Sequence, residues 1–115
     1  MGLHTWNDIP VDRMSASISR KVIHSGRITI ARVYLAKGAV VPRHSHENEQ
    51  VTTMEKGRLR FQFDDREVIV DAGQTLVILP NEPHSAEALE ESVALDLFAP
   101  VREDWIRGDD AYLRG

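Results

Sequence analysis

Hydrophobic and polar residues alternate along much of the chain, most clearly in its middle. Leu59, Phe61 and Phe63 are apolar, whereas the residues between them are arginine and glutamine. A repeat of two places successive side chains on opposite faces of a β-strand. The pattern therefore predicts a strand over 58–63 with one face turned to a core.

Other short apolar or β-branched runs follow the same pattern, and turn residues close most of them. Ser25-Gly26 separates two such runs and predicts a hairpin. The remaining predicted strands cover residues 22–24, 28–35, 50–54, 67–70, 75–79, 84–89 and 93–98. Many short strands with a turn about every 8–12 residues are typical of an all-β sandwich or barrel.

The C-terminal part breaks this pattern. Residues 103–107 are predicted to form a brief helix, and the polar tail over 108–115 is predicted to lie on the surface. A length of 115 residues fits one domain. We expect a barrel core over about residues 19–99, an N-terminal arm over 1–18, and the helix and tail over 100–115.

Composition narrows the class of protein. The chain is 42% hydrophobic and 28% charged, as expected for a globular domain, and its net charge of -4 comes without a basic run. We therefore expect no nucleic-acid partner and, because no apolar run is long enough, no membrane partner. The polar start lacks the apolar core of a signal peptide, which predicts a cytoplasmic protein. The chain has no cysteine, so any metal must be bound by nitrogen and oxygen ligands.

Three histidines suggest such a metal site. His44 and His46 are two apart in a segment expected to be extended, so their side chains share a face, and Gln50 has the same parity. His84 comes from a distant strand. Imidazole nitrogens suit Mn, Fe, Ni, Cu and Zn. These four residues are the predicted ligands of one divalent transition metal, with one or two positions left for water or substrate. The competing interpretation is that these histidines are unrelated surface or core residues. That interpretation fits His4 and His24 better.

A charged residue within the last strand is a second candidate. Asp96 shares a face with Phe98, and a carboxylate inside a barrel is costly unless it is paired or used. Arg102 could fold back to the same opening and hold a substrate carboxylate. The alternative is that Asp96 is a solvated edge residue and that Arg102 pairs with Glu103 or Asp104 on the surface.

The histidine spacing resembles a known family. The first cupin motif is matched by Gly38, five residues, His-Ser-His, three residues, Gln50, six residues and Gly57. The second motif has the spacing found here from Gly73 to His84. The resemblance covers about residues 21–98 and implies a small double-stranded β-helix barrel with a metal inside. The family usually has Glu where this chain has Gln50. An uncharged ligand set keeps the full metal charge, which would attract an anionic substrate and suit Lewis-acid chemistry.

The end of the last strand is similar to that of small cupins of pectin and alginate breakdown, which convert unsaturated uronate sugars to linear keto forms. The resemblance implies that Asp96, Phe98 and Arg102 act on the substrate. In this interpretation Asp96 moves the proton, Arg102 holds the carboxylate and Phe98 forms the pocket wall. The predicted function is thus a metal-dependent isomerase acting on a small sugar acid.

Two other functions stay open from the sequence. One is a metal-dependent dioxygenase of an aromatic or dicarbonyl substrate, which oxygen consumption would reveal. The other is a non-catalytic cupin that binds or senses a small ligand, for which ligand binding without turnover is expected. Barrels of this kind leave sheet edges exposed, so a homodimer is also expected.

Overall fold

Over the described residues the chain forms ten strands followed by one short helix. The computed structural model describes residues 2–114. Its strands are β1 (Asp12–Arg13), β2 (Ile18–His24), β3 (Thr29–Leu35), β4 (Val40–His44), β5 (Glu49–Lys56), β6 (Arg58–Phe63), β7 (Glu67–Asp71), β8 (Thr75–Ile78), β9 (His84–Ala88) and β10 (Ser92–Ala99). The α-helix α1 spans Glu103–Arg107, and 3₁₀ turns span Trp6–Asp8 and Ala111–Leu113. Within the described residues, no helix is long and apolar enough to cross a membrane.

The strands form two antiparallel sheets. The larger has the order β1-β2-β3-β10-β5-β8, and the smaller has the order β4-β9-β6-β7. Most connections between consecutive strands pass from one sheet to the other, and the last strand, β10, pairs with β3 and β5 in the larger sheet. This all-β arrangement with a short C-terminal helix confirms the predicted fold class.

The core lies between the two sheets, because each strand turns its alternate apolar residues inward. Leu59, Phe61 and Phe63 of β6 are each only 3% exposed, as their alternation predicts. They pack with buried residues of the larger sheet, including Met54 and Ile78. One end of this core is left for polar side chains, and there the cavity described below is found.

Gly57 makes the tight connection between β5 and β6. Its φ of +84° is one that side chains with a Cβ rarely adopt. A Cβ at this position would also lie 2.3 Å from the backbone oxygen of Glu91. The turn after β5 and the turn before β10 are therefore pressed together at a point that only glycine fits.

The C-terminal segment packs back onto the barrel. Asp110 is 2% exposed, and its carboxylate accepts a hydrogen bond of 2.5 Å from Arg20 on β2. Tyr112 is half-buried and lines the cavity. The predicted surface tail therefore lies only partly on the surface: Gly108, Asp109, Ala111 and Arg114 are exposed, whereas Asp110 is buried and Tyr112 reaches the cavity.

Candidate metal centre

Three histidines meet where β4 lies beside β9. His44 is the last residue of β4 and stands directly opposite His84, the first residue of β9. His46 follows His44 by two residues. One ring nitrogen of each histidine lies within 4.8 Å of those of the other two. Three imidazoles this close together could bind a metal ion.

Each of these histidines is oriented by a backbone carbonyl two residues away. The three contacts of Nδ1 are His44 to Pro42 at 2.7 Å, His46 to Asn48 at 3.0 Å and His84 to Glu82 at 2.8 Å. A carbonyl oxygen only accepts hydrogen bonds, so Nδ1 carries the ring proton in every case. The lone pairs of the three Nε2 atoms are thus left free, as in metal-bound histidines.

Burial keeps these rings neutral. It lowers the pKa of His44 and of His46 to about 4, against the hydrogen bonds to the backbone carbonyls, which raise both values. It also lowers the pKa of His84. A proton therefore does not compete with a metal for Nε2 at neutral pH.

Gln50 extends the cluster through a directed chain of hydrogen bonds. Its Nε2 donates to the Thr52 hydroxyl at 2.9 Å, and that hydroxyl donates to Asp96 at 2.6 Å. The single hydroxyl proton goes to the carboxylate, so Thr52 must accept from the amide nitrogen. The amide oxygen consequently points the other way, 3.1 Å from His46 Nε2. Two acceptors that face each other with no proton between them would suit a cation.

Asp96 lines a cavity of about 80 Å³ together with His44, His84 and Gln50. Burial raises its pKa to about 6, although the hydrogen bond from Thr52 and the positive charge of Arg102 lower it. The carboxyl group can therefore exist in both protonation states near neutral pH. The structure places it on the inward face of β10, as the strand parity predicts.

Arg102 is 1% exposed and lies beside the same cavity. Its Nε and Nη2 donate to the carboxylate of Asp104 at 3.0 and 2.7 Å. Its guanidinium carbon also lies 4.7 Å from the Phe98 ring centroid and 4.4 Å from that of Trp105. The alternative prediction of a pair between Arg102 and Asp104 is confirmed. Its prediction that the pair lies on the surface is wrong, because Arg102 is buried.

Tyr112 is a cavity residue that the sequence did not reveal. Its ring centroid lies 4.9 Å from that of His44, and its hydroxyl oxygen accepts a hydrogen bond of 2.6 Å from Arg102. The only signal was an aromatic residue between Ala111 and Leu113 in an otherwise polar tail. That pattern does not say where the tail packs.

Arg20 was missed for a different reason. It is 3% exposed on the inward face of β2 and lines the cavity. The predicted strand began at residue 22, whereas β2 begins at Ile18. A charged residue at an inward position would have been a clear signal had the strand been predicted at its full length.

The donor atoms of this cluster fit a divalent transition metal. They comprise three neutral imidazole nitrogens and one amide oxygen, which Mn, Fe, Ni, Cu and Zn all accept. Each imidazole already has the backbone partner that fixes its orientation. The residues that would hold the ion are His44, His46, Gln50 and His84.

Comparison with known proteins gives the family. The model of the cupin domain matches residues 31–98, which is more than half of the chain. The chain belongs to the cupin family. This small cupin is 29% identical over 103 residues to the pectin degradation protein KdgF of Dickeya dadantii (strain 3937). The match covers 87% of this chain and 94% of that protein, so the two are related over nearly their whole lengths.

Solved structures agree with this assignment. KdgF from Halomonas sp. superposes with a TM-score of 0.80 at 26% identity, over 86% of this chain and 94% of that one. An RmlC-like cupin from Shewanella frigidimarina gives a TM-score of 0.84 at 20% identity, over 91% and 96% of the two chains. The second likeness shows the fold alone, and both confirm the predicted cupin fold.

Proposed function

We propose that this cupin is a metal-dependent enzyme that converts an unsaturated uronate sugar to its linear keto form. The observation that carries the proposal is the hydrogen-bond chain from Gln50 through Thr52 to Asp96, which joins the histidine cluster to a titratable carboxyl group in one cavity. The relation to KdgF, named as a pectin degradation protein, supports the substrate class.

The reaction is an isomerisation and consumes no oxidant or reductant. The anomeric hydroxyl loses a proton, the bond from the anomeric carbon to the ring oxygen breaks, and its electron pair stays on that oxygen. That oxygen is attached to one carbon of the alkene. When the other alkene carbon gains a proton, the oxygen-bearing carbon becomes a ketone. A bound metal would supply Lewis-acid polarisation of a substrate oxygen.

Asp96 is the residue we assign to the proton transfers. It takes the proton of the anomeric hydroxyl and a proton is returned to carbon, so the net charge of the site does not change. The hydrogen bond from Thr52 holds one carboxyl oxygen of Asp96 in place. Burial favours this role, because it brings the pKa of the carboxyl group near neutrality.

Arg102 supplies a fixed positive charge for the uronate carboxylate. Asp104 already occupies the edge formed by its Nε and Nη2, so the remaining amino group, Nη1, is the one left for the substrate. Phe98 lies under the guanidinium and has its ring 5.6 Å from that of His46. We therefore assign to Phe98 the pocket wall between the two polar groups.

The test is turnover of unsaturated galacturonate by metal-analysed protein, with unsaturated guluronate or mannuronate as the second substrate. Asp96→Asn keeps the shape of the side chain and cannot transfer protons. We expect its rate to fall by about 100-fold or more, with metal content unchanged. Asp64→Asn, in an exposed pair with Arg43, is the control and should match the original protein.

A blank without protein measures spontaneous conversion. No acceleration by metal-loaded protein over this blank would contradict the proposed function. Oxygen uptake with an aromatic or dicarbonyl substrate would instead support the dioxygenase alternative. Carbohydrate binding without turnover would support a non-catalytic cupin.

We also propose a homodimer, for which the outer face of the larger sheet offers a surface. Five apolar residues form one continuous row of paired neighbours across five strands of that face: Ile23, Ile30, Leu97, Val51 and Val77. At about 4.8 Å per strand the row spans about 19 Å. Apolar rows of this kind are typical of surfaces that pair with a second copy.

Sedimentation at several concentrations tests this proposal. Twice the chain mass of 13.0 kDa is expected for the original protein. Val77→Arg should shift it to the monomer, whereas Ile69→Arg, on the smaller sheet, should not. The two positions are 51% and 50% exposed, so the variants differ in face and not in burial. A monomer at all concentrations would contradict the homodimer. The cytoplasmic location remains a prediction that cell fractionation would test.

A further inference from the structure

The C-terminal segment brings a phenol group to the cavity. Helix α1 ends at Gly108, and the following 3₁₀ turn Ala111–Leu113 places Tyr112 and Leu113 in the cavity lining. Asp110 holds this turn in place, because its buried carboxylate pairs with Arg20 at 2.5 Å and with Arg114 at 3.2 Å. The segment is thus attached to the barrel by side chains and not by a strand ladder.

The hydrogen bond between Arg102 and Tyr112 has only one possible direction. A guanidinium group carries donors and no acceptor, so Arg102 Nη2 donates and the Tyr112 oxygen accepts, at 2.6 Å. The proton of the Tyr112 hydroxyl is therefore available to another acceptor. A phenol that accepts a bond from a cation is also a stronger donor itself.

The Tyr112 side chain reaches from the candidate metal centre to Arg102. Its ring lies 4.9 Å from the His44 ring, at an interplanar angle of 34°, and its hydroxyl oxygen lies 2.6 Å from Arg102 Nη2. The side chain thus lies between a metal-ligand candidate and the buried Arg102. A ligand with several oxygens that reaches both groups would pass the phenol.

The cavity brings the phenol within reach of the groups already assigned to the substrate. Tyr112 lines it together with Asp96, His44 and Arg102. Hydrogen-bonded ladders fix the strands that carry Asp96 and His44, whereas side-chain contacts hold the segment that carries Tyr112.

We propose that Tyr112 is a substrate-contacting residue that donates its hydroxyl proton in a hydrogen bond to an oxygen of the bound sugar acid. The inference rests on the proposed function for the identity of the ligand. It adds a third polar group to Asp96 and Arg102, and it makes the C-terminal segment part of the binding site.

The test compares Tyr112→Phe with Tyr34→Phe, which alters the only other tyrosine of the chain. Tyr34 lies on β3, on the face of the larger sheet turned away from the cavity, and each change removes one hydroxyl group. Calorimetry measures binding of galacturonate, a saturated compound that the proposed reaction cannot consume, to metal-loaded protein. Turnover of unsaturated galacturonate and metal content are measured in parallel.

We expect Tyr112→Phe to bind galacturonate about tenfold more weakly and to lose about tenfold in kcat/KM, with metal content unchanged. Tyr34→Phe should match the original protein. Equal binding and turnover in Tyr112→Phe would overturn the inference and leave the proposed function standing. Binding that depends on Tyr112 without turnover in any variant would support the inference and contradict the proposed function. Absence of binding by the original protein would overturn the inference.

Discussion

The cavity has two sides that are held by different kinds of contact. On the histidine side (His44, His46 and His84), each ring is fixed by a carbonyl two residues away. On the C-terminal side (Arg102 to Arg114), the decisive bond joins Arg20 to Asp110, ninety positions apart in sequence. The histidine side therefore depends on local backbone geometry, and the C-terminal side depends on long-range charge pairing. A mutation that disrupts one side should leave the other intact.

The largest effect is expected from the loss of a histidine. His84→Ala removes one of three converging imidazoles. Loss of a group that only hydrogen-bonds a metal ligand lowers metal affinity by about 10–100-fold. Loss of the imidazole itself should lower it further. His4→Ala, an exposed position in the N-terminal arm, should change nothing. Metal content after dialysis measures both. Full metal retention in His84→Ala would show that the ion is bound elsewhere.

Breaking the C-terminal side should cost stability without costing metal. Asp110→Asn leaves the buried Arg20 with Asp12, at 3.2 Å, as its remaining carboxylate partner, and we expect a loss of about 3 kcal/mol in the free energy of unfolding. Asp109→Asn changes an exposed pair with Arg107 and should cost under about 0.5 kcal/mol. Urea unfolding of the metal-free protein measures both.

A parallel metal titration tests whether the two sides are separate. If the metal affinity of Asp110→Asn fell as steeply as its stability, the sides would be coupled and the contrast between them would be wrong. Unchanged metal affinity with lowered stability is the expected result.

Gln50 joins the histidine side to Asp96 through Thr52. Gln50→Glu adds an anionic ligand, so we expect metal affinity to rise by about tenfold, whereas the new carboxylate can no longer donate to Thr52 and places a second negative charge near Asp96. Turnover should therefore fall. Glu49→Gln, an exposed neighbour on β5, is the control for a change of one charge. If metal affinity and turnover were both unchanged in Gln50→Glu, the argument for an uncharged ligand set would fail.

The smallest effect is a difference in pH dependence. His44 and His46 have folded pKa values of about 4 and an ordinary value of 6.5, so the unfolded chain binds more protons between these limits and stability falls as the pH falls from 6.5 to 4. Asp96, with its pKa raised to about 6, acts in the opposite direction between pH 3.8 and 6. Urea unfolding of the metal-free Asp96→Asn variant should therefore show a steeper loss of stability on acidification than the original protein. An equal slope would contradict the assigned environment of Asp96.

The sequence predicted those parts of the molecule that local pattern determines. Alternation in β6 and the hairpin at Ser25-Gly26 correspond to real elements, and the predicted helix over 103–107 has the bounds of α1. Strand parity placed His44 and His46 on one face, and the spacing that resembles the two cupin motifs added His84 from a distant strand; the structure brings all three together.

The parts that the sequence did not predict depend on tertiary packing. Nothing near Tyr112 or Asp110 in the chain indicates that the tail returns to β2. The partner of Asp110 is Arg20, and that residue lay outside the predicted strand because β2 is longer than its apolar run. Long-range charge pairs leave no periodic signal, so the C-terminal side of the cavity became visible only in three dimensions.

Gly57 has a consequence for how this chain can change over evolutionary time. At Gly38, which also has a positive φ, a side chain would meet no atom within 4 Å, so a residue that tolerates this backbone could replace it. At Gly57 the added atom would strike the backbone of Glu91, which cannot turn aside as a side chain could. Lineages can therefore alter the cavity and its ligands while this one turn stays fixed, since any side chain added at Gly57 would collide with the Glu91 backbone.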